Sequence, residues 1–366
     1  MHMNDVISEE AVEEIKPPAT SVGVIGWIRT NLFNTIFNSI LTLVTLYVLW
    51  LIVPPFIRWA IIDAQWFSSA EACRGAEGAC WSVIPSNIRF ILFGFYPYEL
   101  QWRPLTAMVL LVCVLFYSRN RAHWKKSLLY AWLSGLVIMG VLMRGGILGL
   151  APVETPQWGG LPLTLMLSVF GLTAAYPLGV VLALGRQSKM PAVKTLCIVY
   201  IEMIRGVPLI TLLFMSSVVF PLFLPEGVTV NVILRAQVAI IMFTAAYIAE
   251  VVRGGLQGMA TGQYEAADSL GLNYYQTMRL VILPQALKIV IPPTVSQLIS
   301  ALKDTSLVVI IALYDILKTT QVVLSDPNWM AFSSELYIFV ALIYFGCCYF
   351  MSSYSRRLEE ELDTGH

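Results

Sequence analysis

From Ile36 to Ile57 the chain carries no charged side chain. A helix of that length, rising about 1.5 Å per residue, crosses a hydrocarbon layer of about 30 Å. The run reads as a membrane span, so the rest of the chain must be read with lipid as one of its solvents. Composition agrees: 57% of the 366 residues are hydrophobic and 13% are charged, more apolar surface than a soluble core could hide. Further apolar runs lie at 104–118, 127–143, 161–185, 196–224, 236–249, 289–313 and 336–354. Trp102, Arg103, Trp124 and Lys126 can sit at the interface and extend the two shortest. The expectation is an all-α integral membrane protein with about eight spans.

Composition also divides the chain. Residues 1–35 form a polar tail and lead-in, with acids up to Glu14 followed by Pro17 and Pro18. This start lacks the basic beginning and short apolar core of a secretory signal, so it reads as a retained, disordered tail. Residues 21–37 mix Trp27, Ile28 and Phe33 with Arg29 and Asn31, which suits an interfacial amphipathic helix or a plain lead-in to the first span. Residues 36–159 hold three spans and a long loop over 63–103. A Gly- and Pro-rich connection over 145–160 marks the expected domain boundary, residues 160–354 hold the other five spans, and 355–366 form a second tail.

Short basic loops orient the spans. Arg119, Arg121, Lys125 and Lys126, then Arg186, Lys189 and Lys194, then Arg356 and Arg357 all fall on one side when the spans alternate. That side is the cytoplasm, and it also receives both termini and the loop 257–285. The long first loop lies outside with Cys73 and Cys80; in an oxidising compartment these two could form a disulfide, although spacing alone leaves open whether the sulfurs meet. Twenty-three basic and 23 acidic residues cancel, so no basic field argues for nucleic acid. Three His and six scattered Cys leave little material for a metal site.

The polar stretch 264–285 lies between apolar runs. Residues 265–270 suit a short helix that Gly271 can end, and 274–282 suit a second, amphipathic one before Pro284 limits continuation. Two short helices around a glycine make a compact knob on the membrane surface. Charges beside or within the apolar runs are the other candidates: Glu202, Arg205, Glu250, Arg253, Lys303 and Asp304. An ionisable group at membrane depth faces a cavity or a partner. The i,i+3 spacing of Glu202 with Arg205, and of Glu250 with Arg253, favours pairing that only holds helices together. For the adjacent Lys303 and Asp304, internal pairing and substrate contact stand level.

Several strings carry a family resemblance. Glu265-Ala266-Ala267, Gly271 and Ile282-Leu283-Pro284 resemble the EAA signature of membrane subunits of bacterial ABC importers. Residues 246–255, Gln263, Met278-Arg279, Pro292-Pro293 and 302–307 look like the polar amino-acid branch of that family. Residues 200–209 resemble its Y-I-E-x-x-R-G-T-P-L pattern, with Val207 where Thr is usual. Over about 160–354 the resemblance implies a five-span core of the type I ABC importer transmembrane fold, here with about three extra N-terminal spans, as in general L-amino-acid importers.

The resemblance further implies docking of Tyr264, Glu265, Ala266, Ala267, Ser269 and Gly271 onto a cytoplasmic ATPase dimer, where ATP and Mg would bind. It implies a second, non-identical permease subunit, a periplasmic amino-acid-binding protein and a place in the inner membrane. Glu202, Arg205, Glu250, Lys303, Asp304, Thr305 and Ser306 become candidates for the translocation path or its gate. The chain itself has no phosphate-cradling Gly-x-x-x-x-Gly-Lys-[Ser/Thr] string, so it is expected to bind no cofactor and to catalyse no reaction. The rival reading from composition is an ion-gradient-driven secondary transporter or channel; a third is a non-transporting assembly or sensor subunit.

Overall fold

A computed structural model describes residues 23–362, so the tail expected at the start of the chain lies, over residues 1–22, outside the described residues. The chain forms two compact units, Met1–Ser68 with Gly75–Cys80, and Ser69–Arg74 with Trp81–His366. In the first, helix α1 (Gly23–Asn31) precedes α2 (Ile36–Ile57). Thr35 caps α2 by accepting the amide of Asn38 at 3.1 Å. No residue of α2 is buried, as suits a helix whose apolar side chains meet lipid. Pro54 and Pro55 interrupt its amide donors near the end, and a π-turn over Arg58–Ile62 follows.

The second unit begins with α3 (Ala70–Arg74) and α4 (Val83–Phe93), so the long loop expected over 63–103 is partly helical. Then come α5 (Trp102–Ser118), α6 (Lys126–Arg144) and α7 (Gly160–Arg186). Helices α8 (Pro191–Arg205), α9 (Leu209–Phe214) and α10 (Val232–Gln257) follow. After them run α11 (Thr261–Ser269), α12 (Tyr274–Gln276), α13 (Leu283–Ile289) and α14 (Ile291–Asp304). The unit ends with α15 (Ile316–Val323) and α16 (Ser333–Leu362).

Among the described residues seven helices are long and apolar enough to cross a membrane, or up to eight if a bent pair counts as one span. The bent pair is the expected span over 196–224. It is not one rod: Pro191–Arg205 and Leu209–Phe223 meet at 103°. Gly206 ends α8, and Pro208 offers no amide hydrogen and disfavours a helical Val207, so the ladder cannot continue. Two other boundaries move as well. Helix α16 runs on to Leu362, so residues 355–362 are its last turns, held by the i,i+4 pair of Arg357 with Glu361 at 2.8 Å, rather than a separate tail. The connection over 145–160 turns the chain without separating two cores, because Met143 packs with Trp158 and Met166, and Leu111 and Met139 pack with Leu165 and Val169 of α7.

The centre of the unit is the contact of α7 with α10. Gly171, Ala175, Gly179 and Ala183, spaced by four, form a small-residue stripe along α7 that faces α10, Gly171 against Gln237 and Ile240 and the others in the cluster of Ala245, Ile248, Ala249 and Val252. A Cβ at Gly179 would stand 2.6 Å from Ile248 Cγ2 and 2.9 Å from the Ala245 carbonyl, so only glycine allows this approach.

At one end of α7, Gly159 and Gly160 bridge Tyr314 and Asp315 in parallel. Asp315, wholly buried, caps α15 by accepting the amide of Lys318 at 2.9 Å, and the Tyr344 hydroxyl lies 3.4 Å from its other oxygen. Thr164 accepts the amide of Ile316, and Thr319 donates to the carbonyl of Ile91, which ties α15 to α7 and α4. Burial pushes the Asp315 carboxyl up to about 6. An acid raised in this way is fully accommodated below its unfolded value of about 4, and it loses stability as pH climbs through about 6. Asn in its place keeps the cap and drops the charge. We expect Asp315→Asn to unfold at the same temperature as the parent near pH 4, and to be more stable above pH 6 by up to about 3 kcal/mol. Thermal unfolding in detergent across that range checks this; parallel pH profiles would contradict it.

Candidate functional site

Two features emerge from the charged and polar residues of the second unit. The first gathers the ends of three helices. Arg186 closes α7, Glu202 and Arg205 lie in the last turn of α8, and Glu250 and Arg253 lie late in α10. Arg186 Nη1 donates to Glu202 Oε1 at 2.9 Å and to Glu250 Oε2 at 3.2 Å. Arg205 Nη1 stands 3.7 Å from the same Glu250 oxygen, with its guanidinium 5.5 Å from the Tyr247 ring centre. Arg253 donates through Nε to Glu250 Oε1 at 2.8 Å, and its Nη1 reaches Gln257 at 2.6 Å.

One carboxylate, its side chain 20% exposed, is thus shared by three guanidinium groups. The i,i+3 pair expected of Glu250 with Arg253 is present. Glu202 and Arg205, also expected to pair at that spacing, turn to Arg186 and Glu250 instead. Arg186 is the member that sequence reasoning missed, since nothing in a loop charge 16 positions away marks it as the partner of Glu202.

The second feature is the stretch 257–285. Helix α11 ends in two crossed hydrogen bonds, from the Leu272 amide to the Ala267 carbonyl at 3.2 Å and from the Gly271 amide to the Asp268 carbonyl at 2.9 Å. This is a Schellman turn, and it needs the left-handed φ of +70° that Gly271 adopts. Asn273 then opens α12 with a capping box to Gln276. Contrary to expectation, Pro284 stops nothing: a π-turn over Thr277–Ile282 shifts the register, and Pro284 sits in the first turn of α13, where its missing amide hydrogen costs nothing.

Around the turn, Glu265, Ala266, Ser269, Leu270, Tyr274 and Tyr275 are exposed, while Ala267 is buried and Tyr264 half-buried. Ser269 donates to the Glu265 carbonyl at 2.8 Å, and burial pushes the Tyr264 phenol up from its ordinary value. The knob is rooted: Tyr264, Met278, Val281, Ile282 and Ala286 pack in the same cluster as Ala183 of α7, Ile201 of α8 and Ile248 of α10.

The remaining candidates stand apart from both features. Lys303 is exposed and Asp304 half-buried at the end of α14, and neither has an ion-pair partner within 4.0 Å among the described residues. Thr305 is buried and donates to the Leu302 carbonyl, while Ser306 donates to the Lys303 carbonyl. Both hydroxyls thus bond back to the last turn of α14 from the start of the 3₁₀ segment Thr305–Ile311. Cys73 and Cys80 are disulfide-bonded, and the other four cysteines are free. No group of three or more His, Cys, Asp or Glu among the described residues could hold a metal ion.

Residues 175–363, which contain the charged cluster and the knob, match the family model of the binding-protein-dependent transport system inner membrane component. The chain belongs to that family. It is similar to the inner membrane amino-acid ABC transporter permease protein YhdY of Escherichia coli strain K12, 46% identical over 93% of each chain. It is also similar to the glutamate/glutamine/aspartate/asparagine transport system permease protein BztC of Rhodobacter capsulatus, 39% identical over 95% of this chain and 96% of the other. Among solved structures, an amino acid ABC transporter with histidines superposes with a TM-score of 0.50 at 32% identity, covering 56% of this chain and 92% of that one. The two curated relatives thus align with nearly the whole chain, whereas the solved structure covers little more than half of it.

Within the charged cluster, Glu250 is the charge whose loss leaves three cations facing each other. Glu250→Gln is expected to destabilise the protein by about 1–3 kcal/mol, and Glu202→Gln, at an exposed carboxylate, by less than about 1 kcal/mol. Thermal unfolding of the two variants in one detergent measures the difference; equal losses would show that Glu250 is not the centre of the cluster.

Proposed function

We propose that the chain is the membrane-spanning permease subunit of an ATP-driven importer of polar L-amino acids. The single observation that carries the reading is an exposed knob, closed at Gly271 and rooted in the helix core, in a chain of this family whose relatives YhdY and BztC are named as permeases for amino acids. The knob docks on a cytoplasmic ATPase dimer that binds ATP and Mg; this chain transports and does not hydrolyse. Leu270, Tyr274 and Tyr275 give the docked face an apolar tip, and Glu265 adds a charged contact. Force on the tip passes through Tyr264 and Ile282 into α7, α8 and α10, because these residues share one packed cluster.

A second, non-identical permease completes the pathway, and a periplasmic binding protein delivers substrate. In this reading both termini face the cytoplasm and the disulfide-bonded Cys73 and Cys80 face outward. Lys303 and Asp304, which have no ion-pair partner within 4.0 Å among the described residues, offer a cation and an anion to a zwitterion, with Thr305 and Ser306 shaping the same turn. Glu202, Arg205 and Glu250 serve as a latch among helix ends. A transporter that uses an ion gradient alone has no use for a docking knob and no place in a binding-protein-dependent family.

The Schellman turn supplies the test. A β-branched residue at φ of +70° is strained by about 1–2 kcal/mol or more, whereas Asn tolerates that conformation. A Cβ at Gly271 meets nothing within 4 Å in the chain itself, so neither substitution disturbs packing here. Gly271→Val is expected to insert normally while ATP-driven amino-acid uptake and co-purification of the ATPase fall about tenfold, and Gly271→Asn to lose markedly less. Undiminished uptake by Gly271→Val in the assembled importer would overturn the docking role.

A further inference from the structure

A pocket of about 560 Å³ lies where α5 and α16 both run out of their apolar stretches, lined by Phe116, Arg119, Asn120, Arg357 and Glu361. We infer that it is a binding site for the phosphate of an anionic phospholipid, held on the membrane face where the basic loops gather. Its volume falls within the range of small-molecule sites, roughly 300–1,000 Å³. The charges are arranged for an anion. Glu361 is engaged by Arg357 Nε at 2.8 Å, so the lining sets two cations against one carboxylate that is already paired. Arg119, which follows the last residue of α5, is exposed and has no side-chain hydrogen bond or ion pair among the described residues. Two guanidinium groups lining one opening offer the donors that a phosphate takes, and a basic pocket between spans at the cytoplasmic face is the chemistry that selects acidic headgroups.

The apolar half of a lipid also has a place. Phe116 is 57% exposed and lies 6.3 Å from Phe350, which stacks on Tyr354 at 6.5 Å, so an aromatic wall descends from the pocket along the face of α16. Leu342, Phe345 and Tyr349, a neighbouring stripe of the same helix, are exposed as well. Beside the pocket, α5 and α16 are joined where the Ser118 carbonyl accepts from Trp124 Nε1 at 2.9 Å and from the Tyr354 hydroxyl at 3.3 Å. A free phosphate would use the two arginines alone and would leave the aromatic wall unexplained. The site would clamp the N-terminal extension, through α5, to the last span of the core, and it is independent of what the protein transports.

The test is native mass spectrometry of the full chain released from nanodiscs of phosphatidylethanolamine with phosphatidylglycerol. The parent should retain phosphatidylglycerol in preference to phosphatidylethanolamine, and Arg119→Gln with Arg357→Gln should lower that retention about tenfold. Lys125→Gln with Lys126→Gln, which removes equal charge outside the pocket lining, should leave it within about twofold. If the double pocket variant fails to fold, Arg119→Gln alone, which breaks no ion pair, should still lower retention several-fold. Unchanged retention in the pocket variants, equal loss in the lysine control, or displacement of the lipid by excess inorganic phosphate would each overturn the proposal.

Discussion

The contact between α7 and α10 is the constraint on which the rest of the second unit depends. Lipid offers no hydrophobic drive for one apolar helix to leave it for another, so association must come from close packing. Gly171, Ala175, Gly179 and Ala183 supply it by removing side-chain bulk every four residues, and the backbone of α10 comes near enough for Ile248 to fill the gap. That approach sets the end of α7 beside the late turns of α10. Arg186 consequently meets Glu250, and the sharp turn into α8 adds Glu202 and Arg205 to the same place.

The charge cluster is better understood as a selector of geometry than as a source of stability. Taking a carboxylate and three guanidinium groups partly out of water costs about as much as their attraction returns. Once the helices are packed, however, any sliding of α8 or α10 separates Arg186, Glu202, Arg205 and Glu250 from their ion-pair partners. Glu202, more than half exposed, contributes little by itself, whereas Glu250 is in contact with Arg186, Arg205 and Arg253 at once. The knob is rooted beside this region, because Ile282 and Met278 pack in one core with Ala183 of α7, Ile201 of α8 and Ile248 of α10.

Much of this was legible in the chain, for reasons that differ from element to element. Uncharged runs located the spans because hydrocarbon tolerates nothing else for that length, and Gly271 marked a helix end because only it relaxes at positive φ. The fifth apolar run misled: hydropathy sees Leu196 and Phe223 as one stretch, whereas Gly206 and Pro208 break the ladder and bend it by 103°. Pro284 misled in the other direction, since a π-turn made room for it. The pairing of Glu202 followed spatial neighbours rather than the i,i+3 rule, because the end of α7 reached it first. Asp315 went unnoticed, as one acid after an apolar run carries no mark of being a wholly buried cap.

By itself, the sequence determined the solvent, the helical class, the family motifs and the turn at Gly271, because each follows from local covalent chemistry or from length against the thickness of a bilayer. Only the tertiary structure decided which charges share a carboxylate, that residues 81–159 fold in one unit with the five-span core, and that Asp315 is stripped of water. Those outcomes depend on which helix faces meet. A linear pattern names the apolar face of a helix, but not the neighbour that will cover it.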